Sequence, residues 1–305
     1  GKFYEASVKV EAGKSENDLI AEAFTRVLVK VSGRSDITAS PAYAGMLEKA
    51  RGAISQFRYD HIVVSSEVEP GIETEKLEEE KEEQKEKWFW VRFNIRAVDN
   101  LLTQAQIPIW GKIRPETLIW FSQEIKGNRY LQSQHDVPEI YDVFKQRANE
   151  RGISLIFPFL DLQDQSSIST TDIWGNFHDS VLLASKRYQA PITVTVRLFK
   201  KRSGLWVGQW NLLMLGEVQA WELQDEKQAR ILSSGIDELA DRLAMQFTQK
   251  SGSGDDSGIL VQVNNVSGFD AFQMLDDYLN NLATVKSVAL VQMKKDQVIY
   301  NINYL

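Results

Sequence analysis

The sequence is 305 residues long, with 43% apolar, 25% charged and 10% aromatic residues, 7 prolines and 18 glycines; that is the composition of a folded chain of about two or three domains, and it excludes a disordered, collagenous or coiled-coil protein. Thirty-five basic residues against 42 acidic ones leave a formal charge of −7, and Pro70–Lys87 alone holds eight Glu against four Lys. The remainder is close to neutral and lacks the concentrated positive field that nucleic-acid binding requires.

There is no cysteine, which removes disulfide frameworks, thiolate nucleophiles, zinc thiolate sites and iron–sulfur clusters. No run approaches the roughly 18 apolar residues of a membrane span. The chain starts Gly1-Lys2-Phe3 without an initiator Met, and removal of an export leader is expected.

In chain order, Phe3–Val10 carries Tyr4, Ala6, Val8 and Val10 at period two and predicts a strand. Ser15 with Asp18 forms a capping-box pattern, and Leu19, Ile20, Ala23, Phe24, Val27, Leu28 and Val31 follow at one-face helical spacing until Gly33. Ser40-Pro41 opens a second helix with Tyr43, Met46, Leu47, Ala50 and Ile54 on its stripe. Strands are predicted over Phe57–Val68 and Trp88–Val98, the latter with Phe89, Val91, Phe93 and Ile95 on one face. The Glu/Lys run lies between them as a solvated excursion, and a short helix follows around Val98–Gln106.

Pro108 and Pro115 bracket a domain boundary. Glu116–Ser122 and Ile153–Leu160 flank a helix striped by Ile140, Tyr141, Phe144 and Ala148, a strand–helix–strand unit that is expected to be parallel. Pro158 removes a ladder donor, so that second strand either ends there or borders the sheet. A helix over Ser180–Tyr188 leads into a hairpin of Ile192–Phe199 and Trp206–Leu215 across Ser203-Gly204, and Leu232, Ile236, Leu239, Ala240, Leu243 and Phe247 stripe a long helix. After a Gly/Ser linker, Ile259–Val266, Phe269–Leu282, Val285–Met293 and Val298–Tyr304 read as strand, helix, strand, strand. The expectation is an α+β chain of three small mixed domains. They comprise 1–108 with a charged insertion at 70–87, 109–249, a linker at 250–257, and a 258–305 module too small for a core of its own.

Gly13-Lys14-Ser15 stands where a phosphate loop would, but the preceding glycine such a loop needs is Val8, so a helix cap is the better reading. No motif points to a cofactor or a resident metal. The three histidines are dispersed. Asp161 and Asp164 follow an apolar strand, with Asp172, Trp174, His178 and Asp179 a loop later; the carboxyl end of a sheet strand is where open α/β sheets bind ligands, and carboxylates there suit acid–base work or a divalent cation. Helix capping explains the same cluster. Trp206 and Trp210, four apart on a strand, would share one face and could stack sugars, receive a partner or fill the core.

Arg26–Gly33, Phe157–Asp161, Asp172–Gly175, Ala184–Tyr188 and Trp206–Trp210, in that order, resemble the secreted gammaproteobacterial family of domain of unknown function 2066. That family has no established activity, so the resemblance implies an exported, periplasmic protein and no catalytic residue. Ile192–Val196 is less aliphatic than the family's strand, which implies partial exposure there. The expected function is a non-enzymatic binding or assembly factor of the cell envelope. It would present an edge strand and the aromatic hairpin to an envelope protein or a glycan, with self-association through an open sheet edge. Two rivals are a metal-dependent hydrolase at Asp161, Asp164 and Asp172 with His178, and a glycan-binding module.

Overall fold

The computed structural model describes residues 2–64, 84–110, 114–214, 216–251, 259–282, 285–294 and 296–304. Most of the charged insertion expected at 70–87, and of the linker expected at 250–257, lies outside them. The chain is α+β, with three sheets among the described residues, and it divides into two units, Gly1–Ser32 with Asp36–Ile107, and Gly33–Ser35 with Pro108–Leu305.

In the first unit a 3-10 turn, Lys2–Tyr4, precedes β1 (Glu5–Lys9). The Ser15–Asp18 pair caps α1 (Glu16–Ser32) reciprocally, Asp18 N–H donating to Ser15 Oγ and Ser15 N–H to Asp18 Oδ2. The Gly13 loop is thus a cap, as its spacing implied. The second predicted helix is shorter than its stripe: α2 is Tyr43–Glu48, a 3-10 turn covers Arg51–Ala53, and Ile54 already begins β2 (Ile54–Val64). Strand β3 (Gln84–Phe93) is central in an antiparallel sheet ordered β1-β3-β2. Phe89, Val91 and Phe93 are buried as expected, but Ile95 is not on that strand face. Asn94 intervenes as an N-cap, accepting from Ala97 N, and Ile95 starts α3 (Ile95–Gln104); a short polar side chain that satisfies a free helix N–H ends the strand.

The second unit is built on β4 (Glu116–Ile125). A hairpin the sequence did not disclose folds β5 (Asn128–Leu131) back on β4's second half, turning at Lys126 and Gly127 with positive φ. Pro138 opens α4 (Pro138–Arg151), Gly152 ends it in the left-handed conformation, and β6 (Ser154–Ile156) pairs parallel with the first half of β4. The strand predicted over Ile153–Leu160 is therefore only three residues long. Pro158 forbids its continuation, and Leu160 adopts positive φ.

Three short helices follow, α5 (Leu162–Ser167), α6 (Thr170–Trp174) and α7 (His178–Ser185). Strand β7 (Ile192–Lys200) pairs parallel with β4, and β8 (Trp206–Met214) and β9 (Glu217–Asp225) continue antiparallel, giving the order β5-β4-β7-β8-β9. All of Ile192–Val196 is buried, which corrects the partial exposure implied by the resemblance. Thr195 is tolerated there because its hydroxyl accepts from Asn211 Nδ2. Strand β9 also went unread: its Glu217, Gln219, Glu222 and Gln224 mask an alternation that buries Trp221 and Leu223 in part.

One sheet face is covered by α4 and by α8 (Gln228–Ser251). Trp210 is completely buried there, stacked on Trp221 at 5.6 Å and edge-on to Phe144 at 5.9 Å. The helix approaches closely only because Gly235 lies over the indole; a Cβ there would be 1.9 Å from Trp210 Cζ2. Arg151, also fully buried, joins α4 to α8, donating to Asp237, to Asp241 and to the Gly33 carbonyl, while Ser35 N–H and Oγ also bond to Asp241. The last sheet is β10 (Ile259–Asn264), β12 (Gln297–Tyr304) and β11 (Val285–Lys294), antiparallel in that order, with α9 (Gly268–Asn280) against it. Its Phe272, Val288, Leu290 and Tyr300 belong to the same apolar cluster as the inner stripe of α8, so the module borrows a core.

Alanine favours a helix over glycine by ~1 kcal/mol, yet Gly235→Ala is expected to destabilise the protein by about 1–3 kcal/mol through overpacking. The urea midpoint of the variant against wild type checks the sign.

Candidate functional site

Of the sequence-predicted carboxylates, Asp161 and Asp164 meet on the other face of the six-stranded sheet, but as fastenings. Asp161 is the N-cap of α5 and accepts from Asp164 N–H at 3.0 Å. Asp164 is fully buried. Its Oδ2 accepts from Leu160 N–H at 2.9 Å and from the Tyr188 hydroxyl, and its Oδ1 from Arg187 Nη1 at 2.9 Å. Arg187 also forks onto both oxygens of Asp161, at 2.7 and 2.9 Å. The Tyr188 oxygen accepts from Phe159 N–H at 2.9 Å. This clasp pins the loop after β6 to the 3-10 turn Lys186–Tyr188 after α7. Arg187 and Tyr188 are invisible to a search for acids, although they sit in one of the motifs that carried the resemblance.

The electrostatics follow the geometry. The Arg187 guanidinium, with help from the Asp164 N–H, pulls the Asp161 carboxyl down to about 2. Burial, then the bond to Asp164, pushes the Tyr188 hydroxyl up, so it stays a donor. Asp172 belongs to another device, a capping box with Ser169 on α6, and the Ser169 hydroxyl holds its carboxyl low. His178 begins α7, and its buried Nε2 has no hydrogen-bond partner among the described residues. Among the described residues no three His, Asp or Glu side chains are grouped to hold a metal ion, and no helix is long and apolar enough to cross a membrane.

Trp174 stands at the centre of this face. Its indole N–H donates to Ser122 Oγ at 2.7 Å, its carbonyl accepts from Arg197 Nη1 at 2.9 Å, and Arg129 lies over its ring at 4.1 Å. Trp120, fully buried beneath, anchors α7 through Ser185 Oγ at 2.9 Å. The tryptophan pair of the hairpin is not on this face. Trp206 is half-buried and Trp210 fully buried, both against the opposite core, so the expected aromatic hairpin offers Trp210 to neither a sugar nor a partner. What the clasp does offer is apolar: Phe159 is 72% exposed and Leu162 84% exposed, one on each side of Leu160 and Asp161, with Leu183 of α7 at 64%.

The family described as Domain of unknown function (DUF8605) matches residues 1–111, a stretch ending just past the first unit. It is a different family from that of domain 2066, and most residues that carried that resemblance lie beyond it. No curated protein matches the chain. Among solved structures, the LpoB C-terminal domain from Salmonella enterica is similar at 13% identity over 38% of this chain and 84% of that one, with a TM-score of 0.27. An uncharacterised protein is similar at 9% identity over 45% of this chain and 93% of that one, with a TM-score of 0.19. Both likenesses are too distant to transfer a fold or a role.

Asp164→Asn leaves Arg187 without its buried counter-charge and is expected to cost about 3 kcal/mol, read from chemical denaturation. Asp161 titrates lower in the folded chain, about 2, than the ordinary ~4 of an unfolded Asp. Its contribution to stability is therefore present above pH ~4 and disappears as pH falls toward 2. Melting temperature between pH 5 and 2 should fall less steeply in Asp161→Asn than in wild type.

Proposed function

We propose that the chain is a non-enzymatic binding protein that engages a protein of the cell envelope through the apolar loop held by the Asp161–Asp164–Arg187–Tyr188 clasp. The single observation supporting this reading is how that loop is fastened: a buried carboxylate, and a guanidinium that forks onto Asp161 and also bonds Asp164, hold Phe159 and Leu162 in water at 72% and 84% exposure. Apolar side chains held in water on a fastened loop are the kind of surface a partner protein covers. The acids that a hydrolase would need are already engaged in that fastening and in helix caps, which weighs against the hydrolytic rival. The burial of Trp210 weighs against a sugar platform on the hairpin. Placement in the envelope rests on the sequence resemblance alone, and self-association through the free edge of β9 is a further part of the proposal.

The test is a quantitative pull-down from envelope extract with wild type and with the Phe159→Ser/Leu162→Ser double variant. The double variant is expected to melt close to wild type, since both side chains are mostly in water and Phe159 gives up a tilted ring contact with Tyr188 at 5.9 Å, and to lose a reproducible partner by about tenfold or more, the usual scale for removing apolar anchors. Equal capture by both, or metal-dependent turnover with no partner retained, would reject the reading.

A further inference from the structure

The face of the second unit's sheet that α5–α7 cover is covered only in part. Across its far half the ladder sets Arg197 of β7 beside Gln209 of β8, and Gln209 beside Glu222 of β9. Alternation puts all three on the face that carries Ser122, Thr195 and Asn211, away from Trp210. Arg197 is half-buried, and among the described residues its one hydrogen bond is from Nη1 to the Trp174 carbonyl. Its Nε–H is buried and has no acceptor among the described residues.

The nearest carboxylate in that row does not serve it. Glu222 is occupied by the amides of Gln209 and Gln224 at 2.8 and 2.7 Å. A second cation stands close: Arg129, from β5 on the other side of β4, leans over the Trp174 ring and reaches Glu124 only at 3.4 Å. Trp174 therefore holds one guanidinium by its backbone and another by its π face. Burial pushes the Arg197 guanidinium down, and the positive Arg129 adds to that push while Glu222 opposes it. A guanidinium removed from water with unmet donors is costly, and an anion is the group that relieves it.

We infer that Arg197 and Arg129, gathered on Trp174, form a binding site for an oxyanion, a carboxylate or a phosphate, on a ligand that enters over the open half of the sheet beside Gln209. A planar guanidinium offers paired N–H donors to such a group. The Gln209 and Asn211 amides line the same rows as neutral polar neighbours, and Glu222 limits affinity by like-charge repulsion. The site is separate from the apolar loop and stands whether or not that loop recruits a partner.

The test follows the arginine Nε–H resonances of the full chain by NMR during titration with inorganic phosphate, sulfate or acetate at constant ionic strength, with chloride as the reference. One resonance, identified by its absence in Arg197→Gln, is expected to shift saturably. Monitored on backbone amides of β7 and β8, Arg197→Gln should weaken binding by about tenfold or more, as loss of a charged donor pair does. Arg129→Gln should weaken it severalfold, Glu222→Gln should tighten it, and Arg202→Gln at the exposed hairpin turn should change nothing. Saturation by phosphate and sulfate but not acetate assigns a tetrahedral anion, and saturation by acetate as well assigns a carboxylate-tolerant site. Shifts that never saturate, that chloride reproduces, or that survive in Arg197→Gln would overturn the inference, the last showing an adventitious ion only.

Discussion

A carboxylate taken wholly out of water must be met by donors on every side, and in the second unit that condition falls on Asp164. Two backbone and side-chain donors meet one oxygen and a guanidinium meets the other. The donors come from two distant places in the chain: Leu160 from the loop after β6, Arg187 and Tyr188 from the turn before β7. Fastening them to α5 holds the short-helix layer on the sheet, and that layer in turn fixes Trp174 through α6. Without the layer, Arg197 and Arg129 have no common scaffold, and the loop that carries Phe159 and Leu162 has no fixed direction.

The layer is also narrow. Helices α5, α6 and α7 have six, five and eight residues, against 14 and 24 for the two helices that pack on the opposite face. The difference in length makes the two faces unlike: one is filled by Trp210 and the stripes of α4 and α8, the other ends in polar rows. Binding chemistry, apolar and ionic alike, collects on the side that the helices do not finish covering.

How much of this could be read in the sequence follows from the range of each signal. The capped helix α1, the stripe of α8 and the β7–β8 hairpin rest on local periodicity, and they stand where the spacing puts them. Strand β9 is hidden because Glu and Gln fall on both of its faces, Glu217 and Gln219 on the side of Trp221 and Glu222 and Gln224 on the other, and β5 because four residues are too few for a pattern. The run Ile153–Leu160 looked like a strand on apolarity alone, whereas Pro158 and the strained Leu160 turn it into a loop. Asp161, Asp164 and Trp174 stand out in the sequence as loop acids and a loop aromatic, but their partners Arg187, Tyr188, Ser122 and Arg197 lie 23 to 52 residues away, a separation that only the order of strands reveals. Nothing local to Arg197, on a strand read only by its alternation, says that its face is covered in part.

The three residues Gly33–Ser35 belong to the second unit, although the chain on both sides of them belongs to the first. They supply a carbonyl to Arg151 and two donors to Asp241. The larger unit is therefore not heritable as one uninterrupted stretch of gene. A recombination that moved everything from Pro108 onward into a new host would leave a buried arginine short of an acceptor, so the two halves are held to a shared evolutionary history by a stitch of three residues.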